Sequence, residues 1–168
     1  TEGMILNVGD YQDRNKYLVR SLEIINTMEN MVQEILTVSR MKSSKVELKK
    51  ETIPFSDILK QEYALFEDLI IQKGIDWNEN IAPDLSVIGD KVLIQKVINN
   101  LISNAISYSP EGSSIYLTAF AEDGAIEFFL ENTGVHIPDS EIPKLFDAFY
   151  RVEHSRNKKT GGSGLGLY

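Results

Sequence analysis

Between Tyr11 and Met41 the chain runs without a glycine or a proline, and this run constrains the fold more than any other feature. Leu18, Leu22, Ile25, Met28, Val32, Ile35 and Leu36 recur at helical spacing, with Ile24, Met31 and Val38 widening the stripe. An apolar face that broad belongs in a helical bundle rather than on a lone surface helix. About 30 residues of helix reach ~45 Å at 1.5 Å per residue, farther than one small domain can cover. The preceding TEGMILNV, Thr1 to Val8, reads as the frayed end of something begun upstream. It is too short to be a full partner, and Gly9-Asp10 marks a turn. Residues upstream or a second copy of the chain would then cover the stripe; the alternative is a long helix folded onto its own domain.

The rest of the chain has another rhythm. Lys42 to Lys45 is a polar break, Val46 to Thr52 an edge strand, and Pro54 its end. Ser56 is expected to cap a helix from Asp57 to about Lys73, with Ile58, Leu59, Leu65, Leu69 and Ile70 apolar and Gly74 stopping it. Ile75 to Ile81 reads as a strand, Pro83-Asp84 as a turn, and Leu85 to Ile88 as a short strand. Asp90 then caps a helix containing Gln95 to Tyr108, QKVINNLISNAISY, which Ser109-Pro110-Glu111-Gly112 closes. Ser114 to Ala121 and Ala125 to Asn132 form a hairpin through Asp123-Gly124. Strand, helix, strands, helix and hairpin in that order predict an α+β fold, a two-layer sandwich with helices on one face of a mainly antiparallel sheet.

Composition narrows the function. A chain of 168 residues, 42% hydrophobic and 25% charged, suits one compact domain with an appendage. A net charge of −8 leaves no broad footprint for a phosphate backbone, so nucleic acid is not an expected partner. The absence of cysteine excludes disulfides and thiolate metal sites. No apolar run approaches the roughly 18 residues of a membrane span, and the N-terminus lacks a signal-peptide layout.

Chemistry-bearing residues cluster in the second half. In the Gln95–Tyr108 stretch, Ile94, Val97, Ile98, Leu101 and Ala105 define the apolar stripe, and Asn100 and Asn104 stack one turn apart on its flank. Two carboxamides there face whatever lies beside the core, and we expect a nucleotide. On the last strand Ile126, Phe128, Leu130 and Asn132 point one way and Glu127 and Glu131 the other. Asn132 is thus in phase with the core, where an unpaired amide costs about 1–3 kcal/mol; a ligand or a nearby backbone group would satisfy it. Thr133 to Pro138 forms a tight turn around Gly134, and Lys144 to Arg151, KLFDAFYR, reads as an amphipathic helical turn. Gly161, Gly162, Gly164 and Gly166 suit either an anion-binding loop or an ordinary linker. Arg151, Arg156, Lys158 and Lys159 precede them, as a lid over a polyphosphate or as a solvated loop. His136 and His154 have no companions spaced for zinc and read as turn and loop residues.

Taken together, the spacings resemble the ATP-binding domain of bacterial sensor histidine kinases, the Bergerat or GHKL fold shared with the Hsp90 chaperone, DNA gyrase and mismatch-repair ATPases. NNLISNAISYSP resembles the N box, ENTGVHIP the first glycine box, KLFDAFYR the F box and TGGSGLGL the second glycine box. The NTG form and the FYR run resemble sensors of the vancomycin-resistance type. The resemblance implies a division into residues 1–43, the end of helix one and all of helix two of a dimerisation and phosphotransfer hairpin, and residues 44–168, a catalytic domain lacking its last helix and strands.

It also implies roles. Asn104 matches a magnesium ligand and Asn100 a residue beside the phosphates of ATP. The ATP-hydrolysing relatives carry a water-activating glutamate on this helix, and an amide cannot accept a proton at neutral pH, which favours phosphoryl transfer. Tyr108 matches a residue near the nucleotide, Asn132 the acceptor of the adenine amino group, Phe146 and Phe149 the lid anchor, and Arg151 a phosphate contact. Gly134 matches the first glycine box; Gly162, Gly164 and Gly166 match the second. Asn132 replaces the family's aspartate, and His136 replaces a glycine. The phosphoacceptor histidine motif is missing and is expected just upstream of Thr1. The implied function is transfer of the ATP γ-phosphoryl to that histidine, for relay to the receiver domain of a response regulator. The implied state is a homodimer through the hairpin, as the cytoplasmic portion of a membrane-anchored protein. An ATP hydrolase of the same fold and an inactive dimerisation module are the alternatives.

Overall fold

The structure, a computed structural model, describes residues 14–42, 47–152 and 164–168. It divides into two compact units, Thr1–Val46 and Glu47–Tyr168. The first contains a single described element, helix α1 (Arg14–Lys42). Leu18, Leu22, Ile25, Met28, Val32, Ile35 and Leu36 lie along it with their side chains exposed. Thr27 is accommodated in mid-helix because its hydroxyl donates to Glu23 O at 2.8 Å, one turn back. The stretch Thr1 to Asp10 and the break after Lys42 lie outside the described residues. Among the described residues, no helix is long and apolar enough to cross a membrane.

The second unit runs β1 (Lys50–Pro54), α2 (Phe55–Ala64), α3 (Glu67–Gln72), β2 (Asp76–Ile81), β3 (Ser86–Asp90), α4 (Lys91–Tyr108), β4 (Ser114–Glu122) and β5 (Ala125–Asn132), followed by a 3-10 turn at Ile142–Lys144. Strands β1 and β3 make one antiparallel pair, Lys50 opposite Asp90 and Pro54 opposite Ser86. The other sheet has the order β2-β4-β5. Its β4–β5 hairpin is antiparallel and turns through Asp123 and Gly124 at φ 49° and 80°, the paired positive values of a type I′ turn. One core joins the layers: Ile58 and Leu59 of α2, Ile98, Ile102 and Ile106 of α4, and Ile115 and Leu117 of β4 are all buried. Phe55 closes it edge-on against the Phe128 ring at 6.1 Å.

The α+β class and the helix-on-sheet layering agree with the sequence reading, with five corrections. The first strand begins at Lys50, not Val46. The next helix starts at Phe55, directly after Pro54, so Ser56 is not its cap. The Ser56 hydroxyl instead donates to Ala82 O at 2.9 Å and accepts from Leu85 N at 3.0 Å, bracing the turn at Pro83-Asp84 from within. The helix expected through Lys73 is two helices. At Leu65 and Phe66 the bonds tighten to residues three back, Glu62 O and Tyr63 O, which brings Phe66 and Ile70 onto the core and leaves Leu65 exposed.

The sheet is split, and β2 pairs with β4 in parallel, Asp76 opposite Ser114. Strand β3 and helix α4 lie between these partners in the chain, forming the crossover that a parallel pair requires. Finally, the buried face of α4 is turned from the predicted stripe: Ile102 and Ile106 are fully buried, whereas Val97 is 55% exposed. Ile98 and Ala105 are buried as expected.

Candidate functional site

Helix α4 is fixed at its start by Asp90. One carboxylate oxygen accepts from Val92 N and Leu93 N at 3.1 and 3.3 Å, and the other from Lys49 N at 3.1 Å. This satisfies two of the helix's orphan donors and ties the N-terminus to the approach to β1. With Ile98, Ile102 and Ile106 facing the core, Asn100 and Asn104 stand half-buried on the flank. The doublet divides its labour. Asn99 points toward α2 and donates to the buried carboxylate of Glu62 at 2.9 Å, while Asn100 donates to Gly166 O at 3.2 Å.

That second bond brings the end of the chain onto the asparagine flank. A Cβ added to Gly166 would lie 3.8 Å from Asn100 Cγ and 3.9 Å from Asn104 Nδ2, so the glycine segment and both carboxamides are in contact range. Leu165 is buried beside it. Gly164, at φ +75°, leaves no room for a side chain: a Cβ there would lie 2.8 Å from Phe149 C and 2.9 Å from Tyr150 O. Phe149 N in turn donates to Gly164 O at 2.9 Å. Backbone contacts thus join the KLFDAFYR stretch to the glycine segment.

This stretch is not the amphipathic helical turn expected. After the 3-10 turn it continues as irregular chain, Phe149 takes φ 66°, and the rings of Phe146 and Phe149 are exposed. Its fixed point is Tyr150, whose hydroxyl donates to the Glu141 carboxylate. Lys144 approaches that carboxylate at 3.6 Å and lies 5.7 Å from the centre of the Tyr150 ring. Arg151 is half-buried next to it.

A second group of residues gathers where α4 and β5 end. Tyr108 is the last residue of α4 and partly exposed. Gly134, at φ +84°, presses the turn after β5 against Pro110, whose Cγ would lie 3.1 Å from an added Cβ. Thr133 closes the strand end, its N donating to Ser114 O at 2.9 Å and its hydroxyl accepting from Ser114 N at 3.0 Å. Asn132 is half-buried on the core side of β5, opposite Ile115. Its carboxamide has no hydrogen bond to another described residue. His136 is exposed; Gly162, His154 and the basic residues Arg156, Lys158 and Lys159 lie outside the described residues.

The residues present fit a magnesium–nucleotide. The Asn104 carboxamide has no hydrogen-bond partner among the described residues, which leaves a neutral oxygen for a hard cation that keeps most of its waters. Gly166 adjoins this carboxamide, an added Cβ lying 3.9 Å from Asn104 Nδ2. Sequence reasoning passed over Asn99 and Lys73. Asn99 adjoins Asn100, and the turn of about 100° per residue is the signal that the two face different neighbours. Lys73 was read only as the end of a helix.

Comparison with known proteins bears on the family and the fold. Residues 89–168 match the family described as histidine kinase-, DNA gyrase B-, and HSP90-like ATPase. The sensor protein VanSB of Enterococcus faecalis is 32% identical over 168 residues, covering 99% of this chain and 37% of that protein. VanSC of Enterococcus gallinarum is 34% identical over 154 residues, covering 92% of this chain and 42% of that protein. Among solved structures, the histidine kinase ThkA in complex with the response regulator TrrA superposes with a TM-score of 0.72 at 26% identity, covering 88% of this chain and 43% of that one. The α+β layering and the asparagine helix with its glycine segment thus define a GHKL-type ATPase domain. The matched family and the two relatives VanSB and VanSC support a sensor histidine kinase of the VanS-like type. It spans well under half the length of the curated relatives, 37% of VanSB and 42% of VanSC.

Proposed function

We propose that this chain is the catalytic portion of a sensor histidine kinase that binds magnesium–ATP and transfers the γ-phosphoryl to a histidine of a dimerisation hairpin, for relay to a response regulator. The observation that carries the reading is the contact of Gly166 with both Asn100 and Asn104, which sets a bare backbone beside two carboxamides on the flank of a packed helix. In this reading Asn104 holds the metal through its side-chain oxygen. Bound magnesium supplies charge neutralisation at the phosphates. Asn100 lies beside the phosphates, the N–H groups of Gly162, Gly164 and Gly166 donate to their oxygens, and Arg151 adds positive charge. Asn132 offers its carbonyl oxygen to the adenine amino group, with Tyr108, Gly134 and Phe149 around the nucleotide. Catalysis is then mainly positioning and electrostatics. Asn100 cannot take a proton from water, which favours transfer over hydrolysis.

Residues 1–43 supply part of the dimerisation hairpin and residues 44–168 the nucleotide domain. The exposed stripe of α1 supports a homodimer, since a row of apolar side chains in water is the face a partner helix covers. A response regulator is the downstream partner, a reading supported by the structure of ThkA in complex with the response regulator TrrA, and the whole protein is anchored at a membrane with this portion in the cytoplasm. The test is Asn104→Ala in the full-length protein. We expect loss of magnesium-ATP-dependent autophosphorylation; undiminished phosphohistidine labelling overturns the site assignment.

A further inference from the structure

The end of α4 is held from outside by one side chain. Lys73, which closes α3, sends its Nζ to Ile106 O at 2.6 Å and to Ser109 O at 2.9 Å. The α-helical partner of Ile106 O would be the N–H of the fourth residue on, and that residue is Pro110, which has none. Ser109 O is equally an orphan of the helix end. A lysine ammonium with three donors meets both, at the pole where the helix dipole favours positive charge. The preceding carbonyl, Ala105 O, is already taken by Ser109 N at 3.1 Å and Ser109 Oγ at 2.6 Å.

Lys73 is itself fixed at the backbone. Its N donates to Leu69 O at 3.0 Å, and its O accepts from Gly112 N at 3.1 Å, in the loop that follows α4. On the other side of that loop Gly134 presses on Pro110. The last turn of α4 is therefore clamped between the end of α3 and the turn after β5. This turn carries Tyr108, and Asn104 lies one residue before Ala105, whose carbonyl begins the closing bonds.

We infer that Lys73 is a positioning residue for the nucleotide site. It touches no nucleotide; its two charge-assisted bonds replace those that Pro110 denies the helix, and so set where Asn104 and Tyr108 stand relative to the Gly134 turn. The inference rests on the proposed nucleotide reading. A lysine needed only for folding would leave the site intact in whatever fraction of the protein stays folded.

The test uses the full-length protein, with Lys73→Met to keep the stem and remove the donors, and Lys73→Arg to restore donors and charge. Binding of magnesium with a non-hydrolysable ATP analogue is measured by calorimetry well below the melting temperature, alongside amide hydrogen exchange. For Lys73→Met we expect roughly tenfold weaker binding, with faster exchange confined to residues 104–109 and β4–β5 unchanged. Lys73→Arg should recover most of the affinity. Native-like binding by Lys73→Met, in a protein whose binding Asn104→Ala abolishes, overturns the inference and leaves the nucleotide reading standing. Failure of the native protein to bind the analogue overturns both.

Discussion

Helix α1 and the unit from Glu47 to Tyr168 dispose of their apolar side chains in opposite ways. In α1, Leu22, Ile25 and Met28 lie 58–60% exposed. In the second unit, Ile102, Ile106 and Ile115 are wholly buried under two helices and a sheet. The first element, as described, leaves an apolar stripe exposed; the second carries its own core. The proposed function draws on both: in that reading the helix offers a surface for assembly, and the packed unit is the frame that holds two asparagines beside a glycine segment.

That contrast can be broken by mutation. The largest effect is expected for Ile102→Ala. The side chain is fully buried at the centre of α4, and a cavity there should cost about 2–5 kcal/mol, read as a lower denaturant midpoint for the second unit. Asp90→Ala should cost about 1 kcal/mol, the usual value of a lost N-cap, and hydrogen exchange should quicken at the first turn of α4. Ile25→Asp should have the smallest effect on that unfolding transition, within about 0.5 kcal/mol as for exposed positions. Sedimentation should nevertheless show loss of the proposed homodimer. An unfolding midpoint that falls as far for Ile25→Asp as for Ile102→Ala would abolish the distinction between the two regions.

What the sequence made legible was local. Asp90 as a cap and Asp123-Gly124 as a hairpin turn are set by side-chain and backbone chemistry within a few residues, and both hold. The break at Leu65–Phe66 carries neither glycine nor proline, so nothing local announces it; packing of Phe66 and Ile70 decides it. The phase of α4 was misjudged because the helix is apolar over much of its circumference. With Val97, Ile98, Leu101 and Ile102 all available, periodicity cannot choose between adjacent faces, and the sheet beneath does. Parallel pairing of β2 with β4 is likewise a long-range outcome. In the site, Asn100 and Asn104 were readable from spacing, but their meeting with Gly166, 66 residues away from Asn100, was legible only through the family's four motifs.

The parallel pairing bears on how the protein reaches its native state. Asp76 and Ser114 become neighbours only after β3 and the whole of α4 have been looped out between them. Closing that loop has an entropic cost that must be met before the strand contacts return anything. The asparagine helix is itself the loop. During refolding, nucleotide binding should therefore lag behind the appearance of helical signal, and a chain released early from the ribosome or caught half-folded would have helices but no site.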